Sequence, residues 1–175
     1  PLQAVPVSWI GPSGKETKLG EARGTLNVSF RAVETGAQRI VCDPGWATAS
    51  IPESNQRVGM IASGRASFHL LGSPGELFFF VPKGIETFGV RVSGDGPGES
   101  VKATLSDPAG KIVGQRDNIE GHQFLIERPS SETGAVWSLR LERPSKGVLE
   151  DHFVELQGLP PVLATSREAL LKPAK

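Results

Sequence analysis

Residues 76–106 read ELFFFVPKGIETFGVRVSGDGPGESVKATLS. Three short apolar or alternating runs are broken by PKG and GDGPG, and DPAGK follows at 107–111. Short runs of this kind, punctuated by Gly, Pro and Asp, are antiparallel β-strands joined by tight turns. Such strands stack into a β-sandwich. Its two sheets bury their inner faces against each other, so function sits on the loops or on an outer face.

Working outward, the same pattern continues. Val5 to Ile10 reads as a strand within a 25-residue N-terminal strand or arm. Leu26 to Val33 alternates Leu26, Val28, Phe30 and Ala32 against Asn27, Ser29 and Arg31, the period of two of a half-buried strand. Gln38 to Val41 is its expected partner across the ETGA turn. An irregular segment, CDPGWATASIPESNQRVGM at 42–60, then interrupts the strands, and loops of that length in a compact domain are more often functional than accidental. Further strands are expected at Ala66–Leu71, Leu77–Val81, Thr87–Ser93 with Phe88, Val90 and Val92 inward, Val101–Ser106 and Lys111–Val113. Gln123–Glu127, Val136–Glu142 and His152–Leu156 follow, making about ten in all. Ser166 to Lys172 reads as a short closing helix, with Ser166 as N-cap and Pro173 as stop. The expectation is all-β, a single sandwich domain over residues 1–175 with one core, with a boundary near Met60 as the open alternative.

Composition narrows the functional classes. The chain carries 19 basic and 19 acidic residues with no basic stripe, so the electrostatic footprint of a nucleic-acid or anionic-membrane binder is missing. Gly and Pro, 21 and 14 residues, are spread as turn punctuation and favour many short elements. The single cysteine, Cys42, excludes an intramolecular disulfide and a cysteine-based zinc cage. No stretch has the apolar length of a membrane span. The chain starts at Pro1, and excision from a larger multidomain protein is the expected origin.

Few residues offer chemistry. Trp46 sits in the DPGWATAS loop beside residues too small to bury an indole, and an exposed tryptophan is a stacking surface for a sugar ring or a partner side chain. Trp137, with Leu139 and Leu141 on its face, belongs in the core. Trp9 follows Val5 and Val7 at a spacing of two but borders a Gly-Pro break where a side chain can project. Phe78, Phe79 and Phe80 place bulky groups on both faces of one strand. The second face is expected to be covered by the N-terminal arm or to form an apolar platform. His69, His122 and His152 are isolated from one another, no nucleophile-elbow pattern is present, and Cys42 at the end of an IVC strand reads as a small buried hydrophobe. No catalytic residues are assigned. Turns at Asp43–Gly45 and Asp95–Glu99 hold oxygen donors for a structural calcium ion, although Asp in such turns is more often a turn former.

With these residues laid out, LFFFVPKGIETFGVRVSG, VKATLSDPAGKIV and GAVWSLRLE, spanning about 76–142, resemble the galactose-binding-like jelly rolls and the related pre-peptidase C-terminal domains of bacterial secreted proteins. The resemblance implies a jelly-roll topology and a non-catalytic carbohydrate-binding module of a secreted or periplasmic multidomain protein, with polysaccharide or oligosaccharide and neighbouring domains as partners. The chain departs from it in having no tyrosine. Stacking is expected from Trp46, Trp9 or Phe78, with hydrogen bonds from Asp43, Arg65, His69, Asn118 or Gln123. The competing expectation is a structural module that packs against a catalytic neighbour.

Overall fold

A computed structural model describes residues 3–45, 48–64, 69–129, 131 and 133–173. Among these residues the chain is all-β, with thirteen strands and antiparallel pairing in every sheet. The backbone divides into two compact units, residues 1–53 and 54–175.

The first unit is a three-stranded sheet in the order β2-β1-β3, from β1 (Val5–Ile10), β2 (Glu16–Ala22) and β3 (Arg39–Cys42). Leu26 to Val33 forms no strand. Its expected partner lies instead along β1, with Trp9 opposite Ile40 and Val7 opposite Cys42, while β2 takes the other edge of β1. With that partner taken up by β1, the hairpin expected of Leu26–Val33 does not form. Phe30 packs by stacking its ring on Trp9, centroids 5.0 Å apart. Cys42 is exposed, contrary to the expectation of a buried thiol, because β3 is an outer strand of a sheet none of whose large side chains is fully buried among the described residues.

The second unit carries the sandwich. Its strands are β4 (Met60–Ile61), β5 (His69–Leu71), β6 (Gly75–Val81), β7 (Thr87–Gly94), β8 (Val101–Ser106), β9 (Ile112–Ile119), β10 (Gly121–Glu127), β11 (Ala135–Glu142), β12 (Asp151–Gln157) and β13 (Val162–Leu163). Eight of them make two four-stranded sheets, β10-β7-β12-β5 and β6-β11-β8-β9, and β13 pairs with β4. Numbering those eight from 1 at β5, the sheet orders are 6-3-8-1 and 2-7-4-5, the paired Greek keys of a jelly roll.

The inward phase of each strand builds one core. Phe88, Val90, Val92, Phe124, Val154, Leu156 and Leu70 come from the first sheet, and Leu77, Phe79, Val81, Val101, Leu105, Leu139, Leu141 and Trp137 from the second. Trp137 meets Phe88 edge to face at 5.1 Å. The turns close as their composition dictates. Asp107 Oδ1 accepts hydrogen bonds from the Ala109 and Lys111 N–H groups, and Gly110 adopts φ +83°, a left-handed conformation open to glycine without a Cβ clash.

The outward phase of β6 is covered by the end of the chain. The Phe78 N–H donates to the Ala164 carbonyl at 2.8 Å and the Ala164 N–H donates back at 2.9 Å. Beyond that bridge the Arg167 guanidinium lies 5.1 Å from the Phe78 ring and Lys172 Nζ lies 5.7 Å from the Phe80 ring, both within cation–π reach. The expected helix at Ser166–Lys172 is absent. Ser166 does cap, accepting from the Ala169 N–H at 3.1 Å, but the result is a single turn. Beyond it Leu170 is buried and Lys172 reaches Phe80.

Candidate functional site

The sheet β10-β7-β12-β5 turns one face to the core and the other outward. Strict pairing arranges that face in rows. Gln123, Arg91 and Glu155 form one row, Leu125, Gly89 and Gln157 the next, and Gly121, Ser93, Phe153 and His69 the third. Each residue sits out of phase with the core positions Phe124, Val90, Val92, Leu156 and Val154.

Phe153 is the aromatic of this face. It is only half-buried, although its strand neighbours His152 and Val154 are buried, so its ring projects from the sheet. His69 meets it edge-on at 4.0 Å. Phe153, Arg91, Ser93, Glu155 and Gly64 line a hollow of about 200 Å³. The wall at Gly64 stands close because the Ala62 carbonyl accepts from the Leu156 N–H at 2.9 Å, drawing residues 62–64 alongside β12. A Cβ at Gly64 would lie 2.8 Å from Glu155 Oε1, so glycine allows that approach. Arg91 Nη1 and Glu155 Oε2 are 3.9 Å apart, a loose, partly solvated pair whose hydrogen-bonding capacity is largely free. Gly89 leaves a dip between the amides of Gln123 and Gln157, which close over the space that a Cβ would take.

Of the residues expected from sequence, His69 and Gln123 share this face. Phe78 lies in the other sheet beneath Arg167. Asn118, next to last in β9, has φ +55°, and its Oδ1 accepts from the Lys146 N–H at 2.7 Å, which makes it a turn-fixing residue. Trp9 and Asp43 belong to the 1–53 unit. Trp9 Nε1 donates to Gln38 Oε1, and Asp43 Oδ1 accepts from the Gly45 N–H, so both polar groups are engaged locally. Trp46 and Arg65 lie outside the described residues. Arg91, Ser93, Phe153, Glu155 and Gln157 were not expected. The available signal was Phe153, an aromatic on the polar phase of DHFVELQ.

The calcium-type turns resolve in the same way. Glu99 Oε2 accepts from the Asp95 and Gly96 N–H groups at 3.1 and 2.7 Å, which closes the GDGPG turn. Asp95 instead stands with His69 and Asp151, one ligand atom of each lying within 4.8 Å of the others. The face therefore offers an aromatic surface, a guanidinium, carboxylates, amides and a hydroxyl around a shallow hollow. Compared with known protein families, characterised proteins and solved structures, the chain matches none.

Proposed function

We propose that this chain is a non-catalytic carbohydrate-binding module of a larger secreted protein, and that it holds glycan across the outer face of β10-β7-β12-β5. The carrying observation is Phe153, an outward aromatic seated in a hollow with Arg91, Ser93 and Glu155. A sugar ring has an apolar C–H face and a rim of hydroxyls, so it needs stacking surface together with donors and acceptors around it. Gln123, opposite Arg91, and Gln157, opposite Gly89, extend the polar set over the face. The jelly-roll topology supports the same reading by analogy alone. Bacterial origin and secretion belong to this proposal and rest on the family resemblance.

A second reading, docking of a neighbouring domain on this face, is favoured by Leu125 and Leu71, which are 60% and 59% exposed there. Affinity electrophoresis of the chain against a panel of soluble polysaccharides separates the two. Glycan binding predicts retardation that Phe153→Ala loses by about tenfold in affinity, roughly the 1.4 kcal/mol of one stacked ring, with circular dichroism unchanged. A folded wild-type chain that no glycan retards would leave the docking reading.

A further inference from the structure

His69, Asp95 and Asp151 are distant in sequence and are brought together by topology. His69 opens β5, Asp151 opens β12, and Asp95 follows the last residue of β7. The backbone fixes their relation: the Asp95 N–H donates to the Asp151 carbonyl at 3.2 Å, and the β5–β12 ladder sets Leu71 opposite Asp151 and His69 opposite Phe153. Phe153 holds the His69 ring edge-on at 4.0 Å, limiting its rotation.

Glu76, Glu142 and Glu155 each have an Arg or Lys within ion-pair distance, whereas neither Asp95 nor Asp151 has one among the described residues. One ligand atom from each residue lies within 4.8 Å of the other two. A tetrahedral zinc ion with ligands at about 2.1 Å sets them about 3.4 Å apart, within reach of small side-chain rotations. Imidazole nitrogen suits zinc and its transition-metal neighbours, while calcium and magnesium prefer oxygen alone.

We propose that His69, Asp95 and Asp151 bind one divalent cation of the zinc class, with three protein ligands and an open coordination position. The cation ties β5, a three-residue edge strand, to the start of β12 and to the β7–β8 turn. This site stands independently of glycan binding.

The test uses the full chain, treated with chelator and carrying Cys42→Ser so that the exposed thiol takes no metal. Zinc is titrated calorimetrically while the imidazole resonances of the three histidines are followed by NMR. The expected result is one zinc per chain, perturbation of His69 ahead of His122 and His152, and a raised melting temperature. His69→Ala and Asp95→Asn should each weaken binding at least tenfold, and both positions are exposed, so folding should be retained. No uptake by the folded chain, zinc binding unchanged in His69→Ala, or calcium binding as tightly as zinc would each overturn the proposal.

Discussion

His152 is a titratable side chain in an apolar place. Strand phase turns it inward with Val154 and Leu156, it is 1% exposed, and neither ring nitrogen has a hydrogen-bond partner among the described residues. Burial pushes its pKa below the ordinary histidine value, while the Glu150 backbone, nearby but outside hydrogen-bond geometry, and the Asp151 charge pull the other way. The unfolded chain therefore takes up a proton that the folded chain resists. Stability from this group is fully present above the unfolded value of about 6.5 and is lost as pH falls below it toward the depressed folded value. His122, also lowered by burial and then by Arg116, adds a slope of the same sign. Replacing His152 with Leu should flatten the loss of melting temperature between about pH 7 and pH 5. It should also raise stability at neutral pH by about 1 kcal/mol, because an unpaired buried polar group is removed. An unchanged pH profile in the variant would show that the imidazole is solvated. This position also marks a limit of sequence reading: alternation places His152 inside, yet its isolation in sequence makes it look inert. Phe153 beside it went unread because an outward aromatic acquires meaning only when Arg91, Ser93 and Glu155 arrive from pairings set by topology.

At the scale of elements, strands with strong alternation were legible and their partners were not. Phe88, Val90, Val92 and Trp137 lie inward as their spacing predicts. Leu26 to Val33 has equally good alternation and forms no strand, and its expected partner pairs with β1 instead. The closing segment shows the same competition. Its helical signals produce one capped turn, and the gain from covering Phe78 and Phe80 decides the rest. Leu170 anchors that cover at 1% exposure. Leu170→Ala should therefore cost about 2–4 kcal/mol, read as a lower urea midpoint at unchanged slope. A cost well under 1 kcal/mol would mean that the segment lies loosely on β6.

For the whole molecule, the core cluster is confined to residues between Ala62 and Leu163. The sandwich unit, 54–175, is expected to fold alone with the dispersed amide spectrum and cooperative melting of a packed domain. Residues 1–53, a three-stranded sheet without fully buried large side chains among the described residues, should give a collapsed spectrum as an isolated piece. An unfolded 54–175 piece would contradict the division. Sequence offered a boundary near Met60 only as an alternative, since Gly and Pro are spread evenly and the segment at 42–60 reads as one long loop.

The jelly-roll order also governs how quickly the sandwich can assemble. Along the chain from β5 to β12, consecutive strands change sheet at every step except from β8 to β9. Only that hairpin closes a short loop, whereas β12 must find β5 and β7, and β11 must find β6, across long stretches of chain. Loop-closure entropy is thus met before most ladders repay it, which places refolding among the slower, millisecond-to-second domains. Edge strand β5, held by three residues and waiting for the last strand of the sandwich, is positioned to join late.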